Sequence, residues 1–514
     1  MFDARWTEVP ARPGETPWAT RRVERTVLGV VHNVTSATRL FDVLTPLARD
    51  PRVQVVFSCT ESSAFTPGTA EFLTAQGVLA IPWEQAVSAG FDLAVATSHG
   101  GTLDRLAAPL IVLPHGMGYN KYSPGNRKSE IGNRKSVFGL SAEWLLSGGE
   151  VVPASIVLSH DEQLDRLARS CPPAVPRAVV AGDPCFDRML AGLPLRASYR
   201  AALGVLPHQR LVVISSTWGA ESLFGKLPDL TRRVRAALPL DDYQVAVALH
   251  PNTWHGHSDW QVRRWLDDCE GVLALPPAEG WRAALVAADV VVGDHGSVTY
   301  YGAALGRPVL LATAAEHEVD PESAVGKLLA AAPRLTREPL RAQLDRVHRD
   351  GLPPEAVAAA ALATSVPGES FALLRKEFHR LLDLPEPPVD PEVRTVPPAE
   401  VRPIPVTHHW ARVDGERVTR FAAHVGRPPP GCHLVVSTDT PDANRLQAAE
   451  IVLHHRPGNA EAWLTETLDA LPGLVVAAMP TAPGRWLIGT RDGHRVEADG
   501  PHRASVVYAR LAKS

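Results

Sequence analysis

Polar residues stand directly after several apolar, strand-like runs of this 514-residue sequence. Histidine recurs among them, and its ordinary pKa of about 6.5 suits a general base near neutral pH. In an open parallel sheet, ligands bind outside the carboxyl ends of the strands. We therefore expect one reaction site at these strand ends, which carry His32-Asn33, His115-Gly116, Ser215-Ser216-Thr217, His250-Pro251-Asn252 and Asp294-His295-Gly296-Ser297.

The segment GDHGSVTYYGAALGRPVLL, residues 293–311, is the most specific of these motifs. A strand is predicted to end at its first residue and a helix to begin at Val298, which would aim free N–H groups and the positive end of the helix dipole at a phosphate. The alternative is an ordinary helix start with Ser297 as N-cap. The predicted donor-phosphate site comprises Ser216, Thr217, Asp294, His295, Gly296, Ser297, Val298 and Thr299.

Two histidines are the predicted catalytic residues. His115 would act as general base, and His250 would hold a phosphate or a leaving-group oxygen. The alternative for His250 is a histidine whose ring is satisfied by backbone contacts. His255 and His257 follow at a spacing that matches no standard zinc pattern, so no metal ligands are predicted, and a requirement for Mg²⁺ is left open.

The stretch after His115 is rich in glycine and in basic residues, and the five residues GNRKS occur in it twice. It carries five lysines and arginines against one acid, Glu130, so it could act as a lid that gathers an anionic substrate. The alternative is a solvated loop without a role. The predicted acceptor or lid residues are His32, Asn33, Lys121, Arg127 and Lys128.

Apolar strands alternate with helical stretches in two consecutive segments, which predicts an α/β protein with two doubly wound parallel sheets. Residues 385–405 contain eight prolines, which indicates a semi-rigid linker. Residues 485–498 predict a hairpin that turns through Asp492-Gly493 in type I′. The predicted division is an N-terminal arm (1–25), two Rossmann-like domains (26–200 and 201–384), the linker (385–405) and a small α/β accessory domain (406–514).

The composition of the sequence and the motifs that it lacks argue against several classes of protein. The net charge of −4 argues against general nucleic-acid binding, and the five scattered cysteines include no CxxC pair. The sequence lacks GxxxxGK[ST], GxSxG and HExxH motifs, which disfavours nucleoside triphosphatases, esterases and zinc proteases. No apolar run approaches a membrane span or a signal peptide. We expect a cytoplasmic protein, with peripheral contact to the inner membrane face left open.

Taken in order, the motifs resemble those of the CDP-glycerol glycerophosphotransferase family, the teichoic-acid polymerases and primases. The resemblance covers about residues 25–385 and rests on order and spacing. It implies a GT-B architecture, an acceptor domain followed by a nucleotide-donor domain, and His115 as the catalytic base. The matching motifs are Pro114-His115-Gly116, Gly182-Asp183-Pro184-Cys185-Phe186-Asp187, Ser216-Thr217-Trp218, His250-Pro251, Asp294-His295-Gly296-Ser297 and Arg307-Pro308.

We therefore predict a transferase that moves a glycerophosphate-like or glycosyl group from a nucleotide-diphosphate donor, CDP-linked by the resemblance, to an acceptor hydroxyl. The donor is a substrate, and no cofactor is predicted. Expected partners are the donor and an acceptor alcohol or polymer, without nucleic acid. A GT-B glycosyltransferase that uses nucleotide sugars is the first alternative. A sugar-nucleotide epimerase and a non-catalytic nucleotide-binding or interaction protein are the others.

Overall fold

The computed structural model describes residues 21, 23–60, 68–123, 135–423 and 428–512. In these ranges the chain forms three large sheets packed against helices, which we call the N-terminal, middle and C-terminal units. Most of the predicted arm lies outside the described residues, as do Arg127 and Lys128 of the basic loop.

The N-terminal unit is built on a seven-stranded parallel sheet. Its strands are β1 (Arg25–Val31), β2 (Val53–Cys59), β3 (Ala80–Ile81), β4 (Leu93–Ala96), β5 (Leu110–Val112), β8 (Ser155–Leu158) and β9 (Ala178–Val180), with a small ribbon of β6 (Leu146–Ser147) and β7 (Glu150–Val151). The strand order is β3-β2-β1-β4-β5-β8-β9. The helices are α1 (Val34–Ala48), α2 (Thr69–Ala75), α3 (Trp83–Ser88), α4 (Ala142–Leu145), α5 (Glu162–Ser170) and α6 (Pro184–Gly192).

The middle unit has a six-stranded sheet, parallel except for its last strand. Its strands are β10 (Arg210–Ser216), β11 (Tyr243–Leu249), β12 (Val272–Ala274), β13 (Val290–Gly293), β14 (Val309–Leu311) and β15 (Arg402–Pro403), in the order β14-β13-β10-β11-β12-β15. Its helices and those that follow are α7 (Arg196–Ala202), α8 (Leu223–Lys226), α9 (Leu230–Ala237), α10 (Pro251–His257), α11 (Asp259–Asp267), α12 (Trp281–Ala287), α13 (Ser297–Ala304), α14 (Ala324–Ala331), α15 (Leu340–Asp350), α16 (Pro354–Ala361) and α17 (Ser370–Leu382).

The C-terminal unit is a mixed seven-stranded sheet with the order β17-β16-β18-β19-β20-β21-β22. These strands are β16 (His408–Asp414), β17 (Arg417–Ala422), β18 (Cys432–Ser437), β19 (Ile451–Leu453), β20 (Val476–Ala482), β21 (Arg485–Thr490) and β22 (Arg495–Ala498). The helices α18 (Ala443–Gln447), α19 (Ala460–Ala470) and α20 (Arg503–Leu511) accompany them. The unit is tied to the middle unit through Thr407, whose backbone N–H and hydroxyl both bond the Glu270 carboxylate.

The two parallel sheets have the predicted α/β, GT-B-like arrangement of two facing Rossmann-like units, with the smaller mixed sheet after them. Their strands are almost wholly buried, as expected for sheets with helices on both faces. Two segments differ from the sequence interpretation. Helix α17, predicted in the second domain, packs on α1 through Leu374 and Phe378 in the core of the N-terminal unit. The predicted linker is docked on the protein: β15 pairs with β12, and Val396 is buried.

The predicted hairpin forms between β21 and β22. Its turn is not type I′, because Gly493 has a φ of 93° whereas Asp492 is not among the described residues with positive φ. A type I′ turn needs positive φ at both central residues. The Thr490 N–H instead reaches the His494 carbonyl over a longer loop.

Candidate functional site

A cavity of about 320 Å³ lies between the N-terminal and middle units, at the carboxyl ends of both parallel sheets. This volume is at the lower end of the range typical of small-molecule sites. The strand-end residues predicted from the sequence meet here from both units. Those that line the cavity are His115, Gly116, Ser215, Ser216, Thr217, His250, Pro251, His295, Gly296 and Ser297. The predicted site residues Lys121 and Val298 line it as well.

His115 follows β5 and is exposed to the cavity. Its ring hydrogen-bonds the Thr97 backbone carbonyl, which leaves the other ring nitrogen with a lone pair. Its pKa is lowered, because the two units displace water around the ring and because Lys121 and Arg39 repel a positive charge. Water in the cavity screens part of this effect, since the side chain is more than a third exposed. His115 is therefore neutral at pH 7, the state that a general base requires.

The residue after His115 lies directly against the middle unit. A Cβ placed on Gly116 would lie 2.5 Å from the Ser297 hydroxyl and 3.2 Å from the Ser297 Cβ. Only glycine allows this contact without displacement. The candidate base of the N-terminal unit consequently lies next to the first residue of α13 in the middle unit.

Helix α13 begins without a side-chain cap. Gly296 is its N-cap residue, so the alternative in which Ser297 caps the helix is not what the structure shows. The helix has eight residues, and Gly296, Ser297 and Val298 at its start line the cavity. An uncapped helix start of this kind is a suitable place for a phosphate.

Asp294 holds the start of this helix in place through hydrogen bonds and does not line the cavity. Its carboxylate accepts hydrogen bonds from the N–H groups of Thr217 (2.9 Å), Leu223 (2.8 Å) and Gly296 (2.9 Å). Burial raises its pKa, while these N–H groups and Lys121 oppose the rise. Thr299 is likewise buried beneath the turn, where its hydroxyl accepts the Asp294 N–H. The sequence predicts that both side chains contact phosphates directly, but in the structure they bond the backbone of the turn and are positioning residues.

His250 makes the backbone contact of the alternative interpretation and also lines the cavity. It is the N-cap of α10, and its Nδ1 accepts the Asn252 N–H at 3.1 Å. Because Nδ1 is an acceptor, the proton of the neutral ring lies on Nε2. Burial, followed by repulsion from Lys121 and His115, lowers the pKa of His250 to about 3. His250 thus offers the cavity a neutral N–H donor fixed by the backbone.

His295 and Lys121 form the polar end of the cavity. The His295 side chain is fully buried, and its Nε2 lies 3.4 Å from a Glu318 carboxylate oxygen, beyond ordinary hydrogen-bond geometry. Burial and Lys121 lower its pKa to about 3. Lys121 is held by a backbone bridge to Val319 of the middle unit. Burial lowers the pKa of Lys121, although the nearby carboxylates of Asp294 and Glu318 partly oppose the shift.

Two predicted acceptor residues have structural roles instead. His32 donates from Nε2 to the Gly100 carbonyl at 2.6 Å, and burial lowers its pKa to about 4. Asn33 is the N-cap of α1 and accepts the Ser36 N–H, which completes a capping box. Neither lines the cavity, so the prediction that they face the acceptor is corrected. Both fix α1, whose first turns form the cavity wall.

The sequence interpretation missed Arg39 and His99, which line the same wall. His99 follows β4, so the strand-end rule that selected His115 would have found it. Arg39 lies inside a helix and had no sequence signal, because its importance comes from a contact distant in sequence. Its guanidinium pairs with Asp183 at 2.6 Å, and the Tyr301 hydroxyl donates to the same carboxylate at 2.8 Å. This buried cluster joins the two units.

Neither a metal site nor a membrane-spanning helix is found in the part of the chain that the structure describes. No group of three or more histidine, cysteine, aspartate or glutamate side chains there is arranged to hold a metal ion. None of the described helices combines the length and apolar character that a membrane crossing requires.

No protein-family model matches the sequence, and no curated protein matches it. Solved structures do resemble the chain. A variant of the wall teichoic acid polymerase TagF soaked with CDPG is 13% identical, with a TM-score of 0.49 over 71% of this chain and 90% of that one. A glycosyltransferase from Rickettsia africae is 12% identical, with a TM-score of 0.40 over 70% and 98%. A co-structure of S. aureus MnaA with UDP is 12% identical, with a TM-score of 0.39 over 69% and 96%.

Proposed function

We propose that the chain is a transferase that moves a glycerophosphate-like or glycosyl group from a nucleotide-diphosphate donor to an acceptor hydroxyl. The observation that carries this proposal is the contact between Gly116 and Ser297. It brings a neutral histidine, which we propose as the base, beside an uncapped helix start within one cavity. A base for a hydroxyl and a cradle for a phosphate are the two parts that such a transfer needs.

The donor would lie against the middle unit. The first N–H groups of α13 and the Ser297 hydroxyl would bind the phosphate oxygens, and the Lys121 ammonium would balance their charge. The His250 Nε2–H would donate to the bridging oxygen that leaves. These groups are fixed before the substrate binds, so they stabilise developing charge at little reorganisation cost.

In the proposed reaction, His115 removes the proton from the acceptor hydroxyl as its oxygen attacks the donor. Attack on the distal phosphorus breaks the phosphoanhydride and releases a nucleoside monophosphate. Attack on a sugar carbon breaks the bond to the phosphate and releases a nucleoside diphosphate. In both cases, the leaving phosphate carries away the electron pair of the broken bond, and the proton remains on His115 until solvent removes it.

We propose a CDP-linked donor as the first candidate, on the resemblance of the motifs alone. The test is a calorimetric and thermal-shift panel of CDP-glycerol, CDP, CMP, UDP and nucleotide sugars with the full chain. A ligand present at about 100 times its Kd stabilises a protein by about 2.7 kcal/mol, which is readily measured. Selective stabilisation by cytidine nucleotides supports the glycerophosphotransferase, and selective stabilisation by nucleotide sugars supports the glycosyltransferase alternative. No stabilisation by any nucleotide refutes the proposal.

Turnover separates an enzyme from a nucleotide-binding protein. His115→Ala should retain binding of the nucleotide found in the panel and lose its acceptor-dependent release from the donor. His208→Ala is the matched control, since His208 is exposed and bonds only the Asp241 carbonyl among the described residues. Equal turnover in the two variants would exclude His115 as the base.

A further inference from the structure

The cavity wall formed by the N-terminal unit contains buried polar atoms that have no hydrogen-bond partner among the described residues. They are Thr35 Oγ1, Arg39 Nε and His99 Nε2. All three side chains line the cavity. Since about nine in ten buried polar groups in proteins are hydrogen-bonded, three orphans on one wall indicate groups that a ligand completes.

These side chains are held in place by the fold. Thr35 and Arg39 lie four residues apart on α1 and therefore share one face of the helix. The helix is fixed to the end of β4 by a hydrogen bond of 2.7 Å from the Thr97 hydroxyl to the Ser36 carbonyl. His99 follows β4, and the base His115 follows the neighbouring strand β5. The three side chains thus line the cavity together with His115, on the part of its wall that the N-terminal unit forms.

The wall is polar without carrying a net charge. The charge of Arg39 is balanced by Asp183 at 2.6 Å. His99 is neutral at pH 7, because burial, with smaller contributions from His32 and His115, lowers its pKa to about 3. Lys121 differs from Arg39, since it forms no ion pair within the described ranges, and the carboxylates that act on it, Asp294 and Glu318, belong to the middle unit.

Aromatic rings complete the wall. His99 meets the rings of Tyr119 and Phe138 edge-on, with centroids 5.7 Å and 6.2 Å apart. Tyr119 and Phe138 also line the cavity. Donors and acceptors without net charge, beside apolar ring surfaces, suit a molecule that has hydroxyls on a hydrocarbon frame. Among Thr35, Arg39 and His99, the one cation is Arg39, and its charge is already paired with Asp183.

We propose that this wall is an acceptor subsite for a neutral polyol or sugar, in which Thr35, Arg39 and His99 bind hydroxyls next to the one that His115 deprotonates. The inference rests on the proposed function for its assignment to the acceptor, but the binding that it predicts needs no donor. Arg39 and His99 would select the acceptor, and neither would take part in proton transfer.

The test is saturation-transfer difference NMR on the full chain without nucleotide. The probes are glycerol, methyl β-glucopyranoside and propan-1-ol. We expect saturation of the two neutral polyols above that of propan-1-ol. Thr35→Val and His99→Gln should each weaken polyol binding by roughly 2- to 10-fold, the usual effect of losing one uncharged hydrogen bond.

Thr45→Val is the control for Thr35→Val. Thr45 is on the same helix, but its hydroxyl already donates to the Phe41 carbonyl at 2.9 Å, and it does not line the cavity. Thermal unfolding of each variant verifies that it folds. Equal polyol binding in the two valine variants, or no polyol signal, would each overturn the inference. Nucleotide binding measured on the same samples reports on the proposed function separately, so either proposal can fail while the other holds.

Discussion

The substitution Gly116→Ala should weaken donor binding at the proposed phosphate site at the start of α13 without altering His115. The new Cβ would lie 2.5 Å from the Ser297 hydroxyl, against an ordinary contact of 3.4 Å or more. The hydroxyl must therefore move by about 0.9 Å (3.4 − 2.5), and rotation about the Ser297 side-chain bond is the easiest way. The next contact, at 3.2 Å to the Ser297 Cβ, is tight but can be relieved by a small shift.

Rotation removes the Ser297 hydroxyl from the phosphate that we place at the start of α13. A hydrogen bond to a charged group contributes about 1.5–3 kcal/mol, which corresponds to a roughly 10- to 150-fold loss of donor affinity. Ser297→Ala should cause the same loss directly. The double variant should then bind donor no more weakly than either single variant, because one interaction cannot be lost twice.

The assay is isothermal titration with the best nucleotide of the panel, applied to both single variants and the double variant. Gly256→Ala is the control, since a Cβ at Gly256 meets no atom within 4 Å. If the losses from the two single variants multiply in the double variant, the two sites act independently and the described contact is not the cause. A Gly116→Ala variant with normal affinity would refute the placement of the phosphate.

Three further predictions concern the same site. His115→Ala should lower transfer by about 10²- to 10⁴-fold and, because the pKa of His115 is lowered, wild-type kcat/KM should decline only below its ordinary pKa of about 6.5. Asp294→Asn should lower Tm, since an amide cannot accept all three N–H groups and one lost partner costs about 1–3 kcal/mol. Acid should destabilise the fold: the buried His99 and His295 have folded pKa values of about 3, so the stability present above about pH 6.5 is lost as the pH falls towards 3. His295→Gln should reduce this loss by up to about 1.4 kcal/mol per pH unit in urea titrations, and an unchanged slope would contradict the assignment.

Local patterns in the sequence were sufficient to predict the two parallel sheets and the position of the cavity. Runs of valine, isoleucine and leucine indicate strands that are buried on both faces. The polar residue that follows each run must lie at the carboxyl edge of the sheet, because all strands of a parallel sheet end at that edge. His115, His250 and Ser297 were found in this way, and they share one cavity.

The direction in which a strand-end side chain points was not predictable. Asp294 and Ser297 belong to one short motif, yet Asp294 turns inward to bond three N–H groups while Ser297 faces Gly116. His32 similarly turns to the Gly100 carbonyl. These choices depend on which backbone groups lack partners in the folded chain, and that is set by contacts between segments distant in sequence.

Contacts between the units could not be predicted from the sequence either. Helix α17 continues the middle unit along the chain, but its apolar face packs on α1, because the N-terminal sheet would otherwise leave that helix uncovered. The proline-rich segment 385–405 has the composition of a linker, yet its end contributes β15 to the middle sheet. Composition describes how a segment behaves alone and does not reveal the surface that it meets.

The buried polar contacts of α1 are better explained by the positions that they fix than by a contribution to folding stability. Desolvation makes a buried ion pair a weak source of folding free energy. Arg282 of the middle unit pairs with Asp42 of α1 at 2.8 Å. Within the N-terminal unit, Arg39 of α1 bonds Asp183, and the same carboxylate accepts the Tyr301 hydroxyl of the middle unit. Both sets of contacts attach α1, which bears the proposed acceptor wall, to the middle unit. Apolar contacts would tolerate sliding between the units. Because a misplacement of about 1 Å between reacting groups can reduce the rate by about 10²-fold, such directional contacts would hold the proposed base and the proposed phosphate site at the separation that transfer requires.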